Sequence, residues 1–304
     1  MTDIIIVGAG TAGLTAAIYA QRAGKSVMLF EGTAVGGQII NTPDVENYPG
    51  IAHTSGFEFA NALFEQAKSF GAEIRYEAVK EIRDESAVKK VLTGSGEYEA
   101  KAVILATGAK NRPLGLAREQ DLIGHGISYC ATCDGMFYRG KDVAVAGGGN
   151  TALEDALFLT NFCRHVYLIH RRDAFRGDEK NVSLLKAKEN VEFVLNANVT
   201  SILGDDKVEG VEVTDKFSGE KRELPVSGFF IAVGQMPANE AFSGIVTLDD
   251  KGYISAGESC ETGTAGIFTA GDCRTKEVRQ LTTAASDGAV AALAAAKYVE
   301  SLAE

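Results

Sequence analysis

Two cysteines separated by two residues, Cys130 and Cys133, are followed directly by a carboxylate in the run Tyr129-Cys130-Ala131-Thr132-Cys133-Asp134-Gly135. Such a pair can close a reversible disulfide, work as a dithiol beside an acid, or supply half of a metal site. A structural zinc ion needs about four ligands. Neither a second CxxC nor a paired histidine stands near, and Cys163 and the four scattered histidines do not supply the spacing. A reversible disulfide instead needs a source of electrons. The chain offers two nucleotide-binding patterns, one on the N-terminal side of the pair and one close behind it. That combination favours the disulfide, with no metal, and leaves a zinc-binding nucleotide sensor as the competing reading.

The first pattern opens the chain. Asp3 to Val7 reads as a buried parallel strand, an apolar β-branched run that stops at glycine. Gly8-Ala9-Gly10-Thr11-Ala12-Gly13 follows and opens an alanine-rich helix running to about Ala23. Gly8 permits the tight turn, Gly10 lets a pyrophosphate approach the backbone, and Gly13 lets the helix pack closely on the strand. The helix start then offers N–H groups to the phosphates. The next strand, Ser26 to Phe30, ends at Glu31, close to where a carboxylate accepts from a ribose 2′-hydroxyl. A carboxylate there repels a 2′-phosphate, so this site is expected to take FAD or NAD rather than NADP.

The pattern then repeats behind the cysteines. Asp142 to Ala146 reads as a strand, Gly147-Gly148-Gly149-Asn150-Thr151-Ala152 as GxGxxA, and Ala152 to Leu159 as the helix. The following strand, His165 to Ile169, ends not in a carboxylate but in His170-Arg171-Arg172, with Arg176 four residues beyond. Arginines at the ribose-discriminating position pair bidentately with a 2′-phosphate, which points to NADPH.

These motifs need an α/β frame of two Rossmann-like nucleotide-binding domains, the second inserted into the first: residues 1–112 with 245–304, and residues 113–244. Gly36-Gly37-Gln38 and Glu46 to Gly50 read as loops. A helix from near Thr54 is expected to bury Phe57, Ala60, Phe64, Ala67 and Phe70, with Gly71 as its C-terminal cap. Strands are expected at Glu73 to Arg83, Lys89 to Thr93 and Glu97 to Ala106, the last ending in the turn Ala106-Thr107-Gly108. Asn111 to Gly115 and Gly234 to Pro237 read as linkers around a domain completed by strands at Val191 to Leu195, Val199 to Leu203, Val208 to Thr214 and Glu223 to Val233. The strand Gly266 to Ala270, the turn Gly271-Asp272-Cys273 and a helix from Leu281 to Leu302 return to the first domain.

Composition narrows the class. At 304 residues and 45% apolar content the chain buries a large core, and its net charge of −11 argues against nucleic-acid or anionic-membrane binding. No segment approaches a membrane span, and Met1-Thr2-Asp3 before a short apolar run does not read as a signal peptide. Five cysteines make no even framework, so the expected compartment is a reducing cytosol.

Gly8 to Gly13, Gly36-Gly37-Gln38, Ala106-Thr107-Gly108, Cys130-Ala-Thr-Cys133-Asp134-Gly135, Gly147 to Ala152, His170-Arg171-Arg172 with Arg176, Gly271-Asp272 and Arg279-Gln280 run in order along nearly the whole chain. In this order they resemble the low-molecular-weight thioredoxin reductases. The resemblance implies a homodimeric flavoprotein that passes hydride from NADPH to FAD, reduces the Cys130/Cys133 disulfide, and exchanges with the disulfide of thioredoxin. It implies that Gly36, Gly37, Gln38, Asn47, Ala106, Thr107, Gly108, Gly271, Asp272, Arg279 and Gln280 join the first glycine turn and Glu31 around FAD. It further implies that Cys133 lies nearer the flavin, that Cys130 exchanges with thioredoxin, and that Asp134 protonates the leaving sulfur. A swivel of the inserted domain, hinged near the two linkers, is expected to serve both half-reactions. Some positions depart from the common pattern: Thr11 stands where proline is frequent, Asn150-Thr151 where Asp-Ser is usual, and Gly177 where alanine is more common. A related flavin reductase or dithiol oxidase, with ferredoxin as donor or a peroxiredoxin-type, glutaredoxin-like or small dithiol partner, is the alternative within the same chemistry.

Overall fold

A computed structural model describes residues 1–42 and 44–302 of the chain. The chain forms two compact units, Met1–Lys110 with Met236–Glu304, and Asn111–Gln235. Residues 236–244, expected in the inserted domain, pack into the first unit. There Asn239 is fully buried and its side chain donates to Gly252 O and Cys273 O at 2.9 Å each, while Phe242 joins the core.

In the first unit the strands lie in the order Glu73–Arg75, Val27–Phe30, Thr2–Val7, Glu97–Leu105, Val88–Leu92, Glu81–Glu85, and Ile267–Thr269 also pairs with Glu97–Leu105. Ile4, Ile5 and Ile6 are fully buried, as expected where a parallel strand is covered on both faces. Helices Thr11–Arg22 and Leu281–Ser301 share the cover on one face. Their alanines and Gly288 let them approach so closely that a Cβ on Gly288 would lie 2.3 Å from Ala12 O.

Two expectations change here. The helix is Gly56–Ser69, opened by a capping box in which Ser55 and Glu58 satisfy each other's backbone N–H groups. It buries Phe59, Ala60 and Ala67, whereas Phe57 is 66% exposed and Phe70 39% exposed. The buried stripe is therefore rotated away from Phe57, which sits in the first turn outside the face that meets helix Thr11–Arg22. Gly71 does follow the helix with φ +99°, the left-handed conformation that ends helices. The run from Glu73 to Arg83 is two strands: Glu73–Arg75 extends the parallel sheet beside Val27–Phe30, and Glu81–Glu85 forms an antiparallel ribbon with Val88–Leu92.

The second unit has a parallel sheet in the order Val191–Leu195, His165–His170, Asp142–Gly147, Gly228–Ala232, Ile127–Ser128. A three-stranded antiparallel sheet, Ala197–Leu203, Gly210–Asp215 and Lys221–Leu224, shares one of its two cores. The expected strand Glu223 to Val233 is thus also two strands, in different sheets, separated by Pro225 to Ser227. Proline removes a ladder donor there and the chain turns. Where the chain enters and leaves this unit, Arg112 N–H donates to Gly234 O at 3.0 Å.

One carboxyl in helix Asn150–Thr160 titrates abnormally. Burial, with a smaller contribution from Glu154, pushes Asp155 from 3.8 to about 7. The folded state therefore holds a proton that the unfolded chain releases above its ordinary value, so this carboxyl costs stability as pH rises from 4 through 7. The difference between 3.8 and about 7 corresponds to at most about 4 kcal/mol above pH 7. Asp155→Asn is expected to raise the melting temperature at pH 8 by several degrees and to change it little at pH 4. An equal rise at both pH values in differential scanning fluorimetry would show that charge is not the cause.

Among the described residues no helix is long and apolar enough to cross a membrane.

Candidate active site

In the first unit the glycine turn is built by steric exclusion. Gly8 has φ +104°, and a Cβ there would lie 2.3 Å from Ala106 O. A Cβ on Gly13 would lie 1.8 Å from Gly8 O. Gly10 differs: the nearest protein atom to its Cβ position is Gly36 O at 3.9 Å, so its side-chain space is open. Gly10 is also the N-cap of helix Thr11–Arg22 and makes no side-chain cap, which leaves the first N–H groups facing that opening. Glu31 sits at the turn, its carboxylate accepting from Ala9 N–H at 2.8 Å and from Thr33 N–H at 2.7 Å.

Other expected residues converge on this turn. Gly36 N–H donates to Ala9 O at 2.8 Å, and a Cβ on Gly37 would lie 3.4 Å from Gly10 Cα. A Cβ on Gly271 would meet Ala12 Cβ at 2.7 Å, which brings the Gly271-Asp272 turn to the same helix start. Thr107 Oγ1 donates to Asn239 Oδ1 at 2.7 Å, and the Gln38 amide donates to Ala109 O. Asn47 and Gln280 bond each other at 3.3 Å. Arg279 donates to the backbone carbonyls of Asp272 and Arg274 and stacks over Tyr253 at 4.1 Å, so it supports the turn. Asp272 Oδ1 is buried without a hydrogen-bond partner among the described residues, and burial raises its carboxyl above the ordinary value. An orphaned carboxylate oxygen beside an open glycine turn fits a ligand that brings phosphates and hydroxyl donors.

A buried ionic cluster behind the turn was not visible in the sequence. Asp287 accepts from Gly271 N–H at 2.9 Å, from Arg274 at 2.8 Å and from Lys276 at 2.9 Å. Burial raises the Asp287 carboxyl, and those donors outweigh it and hold the group below its ordinary value. Arg274 is 1% exposed, so the pair pins the flanks of the Gly271 turn from inside the core.

In the second unit Cys130 and Cys133 are joined as a disulfide. They follow the carboxyl end of the short edge strand Ile127–Ser128, the end at which sheets of this kind present ligands. Ser128, 3% exposed, organises the turn: its hydroxyl donates to Asp134 Oδ2 at 2.6 Å and accepts from Cys130 N–H at 3.0 Å. A Cβ on Gly135 would meet Leu159 at 3.0 Å and Phe162 at 3.1 Å, so the segment after the cysteines packs down onto helix Asn150–Thr160. Both cysteines remain partly exposed, and the next side chains, Met136 and Phe137, are 47% and 40% exposed. No periodicity in the sequence marks these two apolar side chains as exposed, because they directly follow the buried Gly135.

The same unit carries the second glycine turn. A Cβ on Gly147 would lie 2.4 Å from Ala232 O, whereas Gly149 has no protein atom within 4 Å of its Cβ position and caps helix Asn150–Thr160 without a side chain. Arg171, Arg172 and Arg176 are exposed on the loop after His165–His170, beside this turn. His170 departs from the expected cationic cluster. It is 5% exposed and stacked on Phe175, and its ring lies 2.0 Å from the Cβ position of Gly148. Burial, which outweighs an opposing backbone hydrogen bond with Ala174, and the nearby arginine charges lower its pKa from 6.5, which favours its neutral form. It forms the floor of the turn and adds no charge.

Glu119 is a further residue that the sequence gave no reason to single out. At 2% exposure it accepts from the N–H groups of Leu114, Gly115 and Leu116 and from Tyr129 Oη at 2.6 Å. The residue before Cys130 is thereby tied to the entry segment of its own unit. The remaining thiols, Cys163, Cys260 and Cys273, are buried, and burial pushes Cys163 and Cys260 up to about 11, which makes them unreactive. Among the described residues no three His, Cys, Asp or Glu side chains gather as a metal site.

Known proteins match nearly the whole chain. The family model for pyridine nucleotide-disulphide oxidoreductases matches residues 2–288. A protein of Bacillus subtilis (strain 168) called thioredoxin reductase is 44% identical over 307 residues, covering 99% of this chain and 96% of its own. A Mycobacterium leprae protein called bifunctional thioredoxin reductase/thioredoxin is 42% identical over 300 residues, covering 98% of this chain and 66% of its own. The crystal structure of thioredoxin reductase from Streptococcus pyogenes MGAS5005 superposes with a TM-score of 0.94 at 41% identity, covering 99% of both chains.

Proposed function

The chain belongs to the pyridine nucleotide-disulphide oxidoreductases and, among them, to the bacterial-type thioredoxin reductases, and we propose that its first unit holds FAD, its second NADPH, and its Cys130–Cys133 disulfide the electrons passed to thioredoxin. The observation that carries this is the disulfide itself, partly exposed in a unit that also bears an open glycine turn flanked by arginines. The name of the M. leprae relative joins reductase and thioredoxin in one chain, which supports thioredoxin as the acceptor.

The turn Gly8–Gly13, Glu31, the Gly36–Gln38 loop and Asp272 would hold FAD, with Arg279 and Asp287 keeping the Asp272 turn in place. Bound there, FAD supplies a two-electron relay between a hydride donor and a disulfide. The chain's own residues do the rest. Opening the Cys130–Cys133 bond takes two electrons and two protons and yields two thiols. Asp134, held by the Ser128 hydroxyl at 2.6 Å, is placed next in sequence to Cys133 to give a proton to the leaving sulfur. Cys130 as thiolate then attacks the thioredoxin disulfide, one sulfur of thioredoxin leaves as thiolate, and Cys133 displaces the second as the Cys130–Cys133 bond closes again. Met136 and Phe137 offer an apolar footing beside the dithiol for a protein partner.

We further infer a homodimer working in a reducing cytosol. Phe57 and Tyr76, both exposed, line an apolar depression with Val35, Ile40, Ala60 and Phe64, which supports a protein-covered face; sedimentation equilibrium reads the mass directly.

The acceptor is tested by a panel. At fixed enzyme, NADPH oxidation is expected to proceed with thioredoxin disulfide at least about 10²-fold faster than with a peroxiredoxin-type or glutaredoxin-like protein disulfide. Equal rates across the panel would remove thioredoxin as the partner for which the site is built.

A further inference from the structure

The loop that carries the arginines is fastened to the glycine turn from both sides. Arg176 N–H donates to Gly148 O at 2.7 Å, and Asn150 Oδ1 accepts from Asp178 N–H at 2.8 Å. Between these two bonds stands Gly177, where a Cβ would lie 2.5 Å from Leu153 Cδ1, 2.8 Å from Asn150 Oδ1 and 3.0 Å from Asn150 N. Below, the His170 ring occupies the space a Gly148 side chain would need. The Arg176–Asp178 backbone therefore lies directly on the helix start at Asn150.

We propose that Asn150 is a specificity-determining positioning residue: by spending its carbonyl on the Asp178 N–H it holds the arginine-bearing loop where the 2′-phosphate of NADPH arrives. The inference rests on the reading that the second unit binds NADPH. An asparagine at the first residue of a glycine-turn helix would ordinarily be assigned to the pyrophosphate, which NADPH and NADH share. A pyrophosphate only accepts, so it could use the Asn150 amide N–H but never Oδ1; Oδ1 is committed to the loop, and losing that bond falls on the group that distinguishes the two nucleotides. Exposed arginine side chains lose rotamer freedom when they bind an anion, and a fixed backbone removes part of that cost beforehand. Gly177 lacks the methyl group that would press on Leu153 and on the Asn150 carbonyl.

The test is equilibrium binding of NADP⁺ and of NAD⁺ to the oxidised holoenzyme by titration calorimetry. Asn150→Ala is expected to weaken NADP⁺ by about 10-fold and NAD⁺ by less than about 2-fold, and kcat/KM for NADPH against NADH should shift by the same ratio. Unchanged NAD⁺ binding also reports that the variant is folded. A second pair removes the partner instead. Asp178 has φ −60°, which proline adopts, so Asp178→Pro deletes the N–H, and Asp178→Ala deletes only the side-chain cap. The proline variant should reproduce the loss of selectivity and the alanine variant should keep the wild-type ratio. Equal weakening of NADP⁺ and NAD⁺ by Asn150→Ala would assign Asn150 to the pyrophosphate and overturn the inference, as would no change in either. Wild-type enzyme that binds the two equally would instead sink the NADPH reading, and the inference with it.

Discussion

Replacing Cys133 with serine is expected to abolish turnover with thioredoxin, by at least about 10³-fold, while flavin stays bound and is still reduced by NADPH. The change is small in volume, and the disulfide closes a loop of only four residues, so it contributes little to the stability of the fold. What is lost is the second thiol. Cys130 alone can attack a protein disulfide, but nothing then displaces the mixed disulfide. Cys133→Ser enzyme incubated with thioredoxin is therefore expected to accumulate a covalent one-to-one adduct, visible on a non-reducing gel and released by dithiothreitol. Cys130→Ser is expected to be equally inactive and to give no adduct. Adducts from Cys130→Ser but not from Cys133→Ser would reverse the two roles, and turnover in either variant would mean that another group carries the electrons.

Gly10→Ala is expected to produce a folded protein that purifies nearly without flavin, with affinity for FAD lowered by at least about 10²-fold. The added methyl group meets no protein atom closer than Gly36 O at 3.9 Å, so the chain alone tolerates it. It occupies instead the space into which a pyrophosphate must come. Gly13→Ala provides the contrast. Its Cβ would lie 1.8 Å from Gly8 O, so the turn itself must open, at a cost of about 1–3 kcal/mol in the flavin-free protein. The ratio of flavin to protein absorbance reads binding in both variants, and thermal unfolding of the stripped proteins separates them. Gly10→Ala with full flavin content would mean that the cofactor phosphates lie elsewhere.

Both glycine turns were legible because their pattern is local. A strand, the glycines and a helix start occupy about ten consecutive residues, although only Gly13, held against Gly8 O, is explained inside that run; Gly8 and Gly147 are crowded by Ala106 O and Ala232 O, at the ends of neighbouring strands. The arginine loop was legible for the same reason, through its place after a strand. What failed depends on packing between distant residues. Phe57 fits a helical stripe by spacing, but the face that buries is set by where the helix meets helix Thr11–Arg22, and the true stripe runs through Phe59, Ala60 and Ala67. His170 looked like one more cation until the close approach of Gly148 placed it in the core. The run Glu73 to Arg83 holds its β-propensity across a break that only sheet membership reveals, whereas the break in Glu223 to Val233 is marked in the sequence by Pro225. Asp287 lies in the next helix after Gly271, and Glu119 lies in an unremarkable turn close to the N–H groups it accepts from; what hid both was not distance but that no spacing rule marks a carboxylate for those backbone groups.

The account's central claim is that electrons enter from NADPH and leave through Cys130 and Cys133 to thioredoxin. Its most direct test follows the flavin absorbance of the purified enzyme under anaerobic conditions, with NADPH added first and oxidised thioredoxin second. The account predicts rapid bleaching by NADPH, a weaker response to NADH, and full recovery of the oxidised spectrum on adding thioredoxin. Bleaching by dithionite but not by NADPH would contradict the donor assigned to the second glycine turn, and bleaching by NADPH without recovery would contradict the acceptor.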